Sequence, residues 1–257
     1  MFHYDPNRPN FVGTYDALGA LFPPCPPDPA TTPPVDFYMF AMLSARTPHL
    51  DAVAAYTTLL LMCYDWYEVL LTPAKRIAQA IERSTWPDKK AESLKSALGA
   101  LHYRRNGRLN LDNLFNMSDV QASLWLEQQP YTGRKTAWCV LLFSSLRRAV
   151  LPVDTGLRRF AIRYGVLSRS TGWDEAHYVL LRQLPSDWDA DQIEIFHNTL
   201  KRFIQTYCKA EPACPVCPLR DTCVFGRNHA AGGSAMAIER RKRHSSFQES
   251  PWQLEFD

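Results

Sequence analysis

The sequence predicts an all-α protein, because apolar residues recur at a spacing near 3.6 and no strand-like run is bounded by hairpin signals. The helices are predicted over residues 37–46, 50–71, 73–84, 89–104, 118–129, 133–150, 156–165 and 189–208. Ser118, followed three residues later by Gln121, predicts a capping box at the start of one of them. No repeat period is visible.

Two segments fall outside this helical body. Residues 22–34 are too rich in proline for a helix and are predicted to run extended over the surface. The last segment, after Cys223, contains the basic run 239–244, and two interpretations stay open for it: a solvated flexible tail or an auxiliary nucleic-acid contact.

The length and composition of the chain limit which functions and partners are to be expected. The 257 residues suffice for one large domain or two modest ones, and the net charge of +3 announces no nucleic-acid binding by itself. Local arginine clusters at 102–108, 146–148 and 156–159 flank one central segment and favour nucleic acid as a partner. The first ten residues carry no export signal and no apolar run is long enough for a membrane span, so we expect a reducing, cytoplasmic setting (associated with the nucleoid in a prokaryote) and no membrane partner.

Four of the seven cysteines stand in a short segment with the spacing C-x5-C-x2-C-x5-C, interrupted by prolines. They are Cys208, Cys214, Cys217 and Cys223. In a reducing compartment such a group predicts a metal site rather than disulfides. Zinc and an iron–sulfur cluster both accept four thiolates, and the single CxxC pair favours a [4Fe-4S] cluster over zinc. The remaining cysteines are scattered, and Cys63 and Cys139 are predicted to be small core residues.

The central segment runs from a polar helix end through a turn into a new helix near Gly133, with Lys135 in its first turn. Unpaired N–H groups at such a helix start bind phosphate. The positive end of the helix also disfavours a protonated lysine, which frees neutral amine for nucleophilic attack. Nineteen residues later Asp154 begins the next helix as an ionised carboxylate. Taken singly, each residue is also explained as a surface charge or a helix cap.

These elements together resemble one family. The segments PYTGRKTA (130–137), VDTG (153–156) and the four-cysteine run, with MLSART (42–47), resemble the endonuclease III family of helix-hairpin-helix DNA glycosylases with a [4Fe-4S] cluster. The likeness extends from about residue 36 to 223. It implies a six-helix domain with the helix-hairpin-helix over 35–147, a cluster domain over 14–34 and 148–226, a cleft between them and a tail over 227–257.

The resemblance implies a monomeric, bifunctional DNA glycosylase and AP lyase that flips an oxidised pyrimidine out of duplex DNA. Lys135 matches the lysine that attacks C1′, and Asp154 matches the aspartate that assists it. The four clustered cysteines match the [4Fe-4S] ligands, and their loop offers Lys209 and Arg220 to phosphates. Adenine-specific relatives lack the lysine, so its presence favours oxidised pyrimidines.

The sequence departs from the family at the residues that engage DNA. The hairpin, usually Leu-Pro-Gly-x-Gly, has Tyr131 at its first glycine and continues through Thr132, Gly133 and Arg134, so we expect the turn to bend differently or to widen its phosphate contact.

Three further positions depart from the pattern. Gly156 stands where a histidine is common. Arg46 replaces a glutamine that fills the gap left by the flipped base, and Trp86 falls where a smaller apolar wedge is inserted, although a packing role would explain the tryptophan equally well. Two other classes therefore stay open: a damaged-DNA-binding module with little catalysis, and a helical zinc-binding regulator.

Overall fold

The computed structural model describes residues 9–24 and 32–229. Within these ranges the chain forms twelve α-helices and two short 3₁₀ helices, with no strand, which confirms the all-α prediction. The α-helices are α1 (Gly13–Gly19), α2 (Pro34–Ser44), α3 (His49–Met62), α4 (Trp66–Leu71), α5 (Ala74–Ala80), α6 (Pro87–Arg104), α7 (Asp119–Glu127), α8 (Arg134–Phe143), α9 (Thr155–Tyr164), α10 (Trp173–Leu181), α11 (Ala190–Thr206) and α12 (Val224–Asn228). The 3₁₀ helices are Asp112–Asn116 and Cys214–Val216.

The described chain divides into two compact units. The hairpin unit comprises residues 32–148 and holds α2 to α8, while the cysteine unit comprises residues 9–24 and 149–229 and holds α1 and α9 to α12. The two residues predicted to carry the chemistry fall in different units: Lys135 lies in the hairpin unit and Asp154 in the cysteine unit.

In the hairpin unit, α2 packs against α3, α6 and α8, α5 packs against α6, and α7 packs against α8. The helices bury a continuous apolar face that includes Tyr38, Leu43, Leu59 and Leu98, all without solvent exposure. Each such leucine stabilises the fold by about 1.5–3 kcal/mol on burial. This core holds both helices of the hairpin, α7 and α8, in place.

In the cysteine unit, α9 packs against α11 and α12, and α1 packs against α11. Its core is aromatic: the rings of Phe11 and Phe196 meet edge to face at 5.2 Å, and those of Phe160 and Phe203 at 5.3 Å. The start of α9, which carries Asp154, is therefore fixed against α11.

Some predicted boundaries were wrong. The stretch 50–71 is not one helix, because the chain becomes extended at Cys63 and restarts as α4. The Asp65 side chain accepts a hydrogen bond from Glu68 N at 2.8 Å, and the Glu68 carboxylate accepts one from Tyr64 N at 2.6 Å. These caps end one helix and begin another between two apolar stretches, and periodicity alone does not detect them. The helix predicted over 133–150 ends at Phe143, where Ser144 is extended.

Local chemistry was predicted better than helix ends. The capping box of Ser118 and Gln121 is present at the start of α7, and Cys63 and Cys139 are buried core residues. Among the described residues no helix is long and apolar enough to cross a membrane. The predictions for residues 25–31 of the proline-rich segment and 230–257 of the tail lie outside the described residues.

Candidate nucleic-acid interface and cysteine site

The turn between α7 and α8 contains a residue in an unusual backbone conformation. Tyr131 has φ of +59°, in the left-handed region, and its side chain is 70% exposed. Tyr131 thus adopts a backbone conformation that glycine takes without strain, and the predicted change in phosphate contact stays a prediction. For a residue with a Cβ this conformation costs about 1–2 kcal/mol. Such strain persists where the surrounding structure over-determines it, which is common at ligand-binding sites.

The surroundings of the turn supply that constraint. Thr132 is buried, and its hydroxyl shares a hydrogen bond with the Tyr38 hydroxyl of α2. Burial raises the pKa of Tyr38 to about 12, and the bond to Thr132 opposes that rise. Gln129, also buried, donates to the Trp125 carbonyl at 2.8 Å. The turn is thus anchored from beneath, and Tyr131 and Gly133 stay at the surface.

The first residue of α8 has a structural partner. The Arg134 guanidinium donates to both carboxylate oxygens of Glu127, at 3.0 and 3.1 Å, and so joins the start of α8 to the end of α7. Ser123 donates to the same carboxylate at 2.6 Å, and Trp138 Nε1 donates to Ser123 at 2.9 Å. Arg134 closes the hairpin in this way, and its contact with DNA stays a prediction.

Lys135 lies in the first turn of α8 and is exposed to solvent. Gly133 occupies the N-cap of α8, and a Cβ added to residue 133 would meet no atom within 4 Å. The start of α8 therefore presents backbone N–H groups and a lysine at an open surface beside the strained turn. The N–H groups of this surface suit binding of a ligand's phosphate, and the lysine amine suits nucleophilic attack on the same ligand.

Asp154 is the N-cap of α9, and its Oδ1 accepts a hydrogen bond from Leu157 N at 2.7 Å. The carboxylate is half-buried. The capping role that the sequence left open is therefore present in the structure. A carboxylate held by a backbone N–H is also fixed in position, which is what electrostatic stabilisation of a developing cation requires.

Arg46 and Trp86 lie side by side in the hairpin unit. The Arg46 guanidinium carbon is 5.7 Å from the centroid of the Trp86 ring, and both residues have left-handed backbones, with φ of 57° and 56°. Thr85 donates from its backbone to Thr47 Oγ1 and from its hydroxyl to the Arg46 carbonyl, each at 3.1 Å. Two segments that are distant in sequence are thus joined by hydrogen bonds, and the Arg46 guanidinium lies over the Trp86 indole.

A buried lysine holds this pair from below. Lys90 of α6 donates to the Leu43 carbonyl and to Thr47 Oγ1. Burial lowers the pKa of Lys90 to about 8. The ammonium group therefore ties α6, whose N-cap is Trp86, to the segment that carries Arg46.

The substitution Trp86→Ala tests whether the Trp86 indole is the wedge inserted into DNA that the family resemblance implies. If the indole inserts beside the lesion, the variant is expected to lose about 1–3 kcal/mol of binding to a duplex with an abasic site, and much less to undamaged duplex, because stacking on an unpaired site is lost. Fluorescence anisotropy with both duplexes measures the difference. Trp173 is a matched control, since it is 50% exposed against 51% for Trp86 and also lies under an arginine, Arg158 at 4.7 Å. Equal losses on both duplexes would contradict the wedge.

A second test concerns the hairpin. Tyr131→Gly is expected to be more stable than Tyr131→Ala by about 0.5–1 kcal/mol, because both remove the ring but only glycine relieves the left-handed strain, less its own unfolded-state entropy. Urea unfolding of the two variants measures this. An alanine variant of equal or greater stability would show that residue 131 does not hold the left-handed backbone in solution.

The four clustered cysteines line one pocket. Cys208 follows α11, Cys214 begins a 3₁₀ helix, Cys217 follows it and Cys223 caps α12. Together with apolar residues such as Phe160 and Leu219 they line a small cavity of about 20 Å³. All four are free thiols.

Burial and mutual proximity determine the charge that these four thiols can carry. Burial raises the pKa of the Cys217 thiol to about 12 and also raises the pKa values of Cys208 and Cys214, and the neighbouring cysteines add to each rise. Four adjacent thiolates in an apolar pocket require a cationic group among them. Within residues 9–24 and 32–229, no three His, Cys, Asp or Glu side chains are grouped so as to hold a single metal ion. The donor set of four cysteines fits an iron–sulfur cluster.

The cysteine loop is fastened to α9. Arg159 donates to the Cys208 carbonyl at 2.9 and 3.2 Å, and Arg163 donates to the Lys209 and Ala210 carbonyls at 2.5 and 2.8 Å. Lys209 is exposed and Arg220 is half-buried on this loop. The loop therefore takes its position from the helix that carries Asp154.

Sequence reasoning missed several residues of the site. Lys90, Tyr38 and Glu127 have partners on other elements, and nothing in the local pattern separates a buried lysine in DKKAES from a solvated one. Arg159 and Arg163, four residues apart, did carry a signal: they share one face of α9, although the sequence did not show which carbonyls they bind.

These features define a class of fold. No family model matches the chain. Its fold is nevertheless that of endonuclease III, which confirms the resemblance at the level of fold. A trapped covalent intermediate of endonuclease III with DNA superposes with a TM-score of 0.69, covering 84% of this chain and 95% of that chain, at 22% identity.

Two plant proteins are distant homologues. An Arabidopsis thaliana protein provisionally named a DNA glycosylase is 29% identical over 174 residues, which cover 68% of this chain and 58% of the relative. DEMETER-like protein 2 of the same plant is 27% identical over 173 residues, or 62% of this chain and 13% of the relative. The chain thus spans less than two thirds of either relative.

Proposed function

We propose that the protein is a bifunctional DNA glycosylase and AP lyase that excises oxidised pyrimidines from duplex DNA in base excision repair. One observation carries the proposal: an exposed lysine stands in the first turn of the helix that leaves the hairpin, at the motif GRKTA. The endonuclease III-like fold and the distant plant DNA glycosylase homologue support it. Duplex DNA with a damaged base is the proposed partner, bound by a monomer.

The proposed chemistry begins with Lys135. Its neutral amine forms a bond to C1′ of the damaged nucleotide, while the bond from C1′ to the base breaks and its electron pair leaves with the base. The C1′–O4′ bond then breaks, O4′ takes up the proton that the nitrogen loses, and the opened sugar is joined to Lys135 as a Schiff base. β-Elimination removes a C2′ proton and breaks the C3′–O bond, which nicks the strand 3′ to the site. Hydrolysis of the imine returns the amine.

Asp154 assists this attack. Positive charge develops on the sugar as the base leaves, and a fixed carboxylate stabilises it. The hydrogen bond from Leu157 N supports that role, because it holds the carboxylate in one orientation. Residues of both units are proposed to contact the DNA. Those of the hairpin unit are Arg46, Trp86, Tyr131, Thr132, Gly133 and Arg134, and those of the cysteine unit are Lys209 and Arg220.

The four cysteines are proposed to hold a [4Fe-4S] cluster. Cys208, Cys214, Cys217 and Cys223 would be its ligands, and the bound cluster would supply folding energy to the loop rather than chemistry. We expect protein purified without oxygen to be brown and to contain about four iron and four sulfide per chain. Iron, sulfide and zinc analysis measures this, and stoichiometric zinc in a colourless protein would contradict it. Cys217→Ala is expected to lose soluble yield.

A second candidate is a damaged-DNA-binding module with little turnover. It is favoured by Tyr131, whose exposed ring stands at the turn where close approach of a phosphate is easiest for glycine. Single-turnover incubation with duplexes carrying thymine glycol, dihydrouracil, uracil or an abasic site separates the two. Release of an oxidised pyrimidine with strand nicking is expected; binding to all four without product would favour the module. The third class, a zinc-binding regulator, is decided by the metal analysis.

A further inference from the structure

His177 is a buried histidine of the cysteine unit that the proposed function does not use. It lies on α10, and only 2% of its surface is exposed to solvent. Its neighbours on the buried face of α10, Ala176 and Leu180, are apolar. A polar ring in such surroundings costs stability unless its nitrogens have hydrogen-bond partners. The partners of His177 therefore indicate its role.

The Nδ1 atom of His177 faces the chain that leads into α9. Val153 N donates to it at 3.3 Å, and the Leu151 carbonyl oxygen lies 3.4 Å away. Val153 is buried and stands before α9, outside any helix, so the imidazole provides an acceptor that a helix does not. Because an N–H has no lone pair, Nδ1 must accept, which places the ring proton on Nε2. A proton on Nδ1 would instead be donated to the Leu151 carbonyl, and Val153 N would lose this acceptor.

The helix that carries His177 is itself attached to α9. The Arg158 guanidinium of α9 donates to the Thr171 carbonyl at 2.7 Å, just before α10 begins. The same guanidinium lies over the ring of Trp173, the first residue of α10, with 4.7 Å from its carbon to the ring centroid. α10 therefore has a fixed position on α9, and His177, one turn further along, holds the chain that enters α9.

The residue held in this way directly precedes Asp154, the carboxylate of the proposed chemistry. On the far side of Asp154, its Oδ1 accepts from Leu157 N at 2.7 Å, which orients the carboxylate relative to α9. On the near side, the bond from Val153 to His177 fixes the backbone from which the carboxylate extends. A carboxylate stabilises a developing cation only when it is held in position beforehand, and a displacement of about 1 Å can cost about 10²-fold in rate.

We propose that His177 is a positioning residue that holds Asp154 in place through the backbone N–H of Val153. The proposal rests on the proposed function, because the step that it serves is the expulsion of the base assisted by Asp154. His177 acts through the backbone and forms no bond to the substrate.

Two amide substitutions test where the acceptor must stand. In His177→Asn the side-chain oxygen takes the position of Nδ1, whereas in His177→Gln it lies one bond further from the backbone. Under single-turnover conditions His177→Asn is expected to excise the base near the wild-type rate, and His177→Gln and His177→Leu are expected to be slower by about 10-fold to 10²-fold. Affinity for a duplex with an abasic site is expected to stay unchanged in all three. Equal rates in the three variants would overturn the proposal.

Leu180→Ala is the matched control for loosening of α10. Leu180 lies on the same buried face, one turn after His177, and makes no bond to Val153 through its side chain. The control is expected to lower the urea midpoint, because a buried leucine is truncated, and to leave the excision rate of the folded protein unchanged. If it slowed excision as much as His177→Gln, the effect would be general loosening and the proposal would be wrong. His177→Gln keeps a polar group at the site and decides the question if His177→Leu does not fold.

A double substitution tests whether His177 acts through Asp154. In the Asp154→Asn background, His177→Gln is expected to slow excision no further, because the carboxylate that it positions is already absent. A full additional loss in the double variant would show that His177 affects the reaction by another route and would overturn the proposal.

Nuclear magnetic resonance tests the contact without any activity. Nδ1 of His177 is expected to carry no proton, and the Val153 amide is expected to exchange slowly in the wild type and in His177→Asn but faster in His177→Gln. A proton on Nδ1, or a Val153 amide equally protected in all variants, would overturn the proposal. Failure of the proposed function is a different result: no base release by the wild type, with the Val153 amide still protected by His177.

Discussion

Lys135→Ala is expected to abolish the covalent adduct that borohydride traps between the protein and a duplex with an abasic site. The adduct is the reduced Schiff base, so it requires the lysine amine itself. Lys135→Gln is expected to behave alike, because glutamine keeps much of the reach but has no basic amine. Gel analysis of the trapped species measures the adduct, and strand nicking at the abasic site is expected to disappear with it.

Binding to the abasic duplex is expected to survive the same substitution, because one charge among several phosphate contacts contributes little affinity. Lys75→Ala is the matched control: Lys75 is also exposed and is the second residue of its helix, α5, as Lys135 is of α8. It is expected to leave the adduct unchanged. An adduct that persists in Lys135→Ala would contradict the assignment, and a variant that only weakens binding and flattens its salt dependence would show that Lys135 contacts phosphate.

Asp154→Asn is expected to slow base excision by about 10²–10³-fold, the scale for removing one preorganised electrostatic group. The substitution separates charge from capping, because asparagine caps a helix about as well as aspartate. The thermal midpoint should therefore stay nearly constant while the rate falls. Nicking at a preformed abasic site should slow less, since no base has to be expelled. Single-turnover assays on both substrates measure the two steps.

Asp189→Asn is the control for this substitution. Asp189 is also an N-cap of the cysteine unit, and its Oδ1 accepts from Gln192 N at 3.0 Å, much as Asp154 accepts from Leu157 N. The control is expected to excise at the wild-type rate. Equal, small effects of the two substitutions would mean that Asp154 is a helix cap and no more.

Two helix starts in the hairpin unit show which local features could be predicted from the sequence and which could not. Ser118 and Gln121 formed the predicted capping box because both partners lie within one turn of chain. The break of the predicted 50–71 helix was not predicted, although its cap residues Asp65 and Glu68 are also local, because apolar residues at helical spacing continue on both sides of them. Local signals are readable when they do not compete with a stronger period.

The sequence by itself determined the all-α class, the grouping of four cysteines around one pocket, and the position of a lysine in the first turn of α8. Only the tertiary structure decided that Tyr131 takes a left-handed backbone, that Arg134 binds Glu127, and that Lys90 holds the segment of Arg46 in place. The physical reason is distance along the chain. Periodicity, capping and ligand spacing act over a few residues, whereas strain and cavities depend on which side chains other helices bring to the same point.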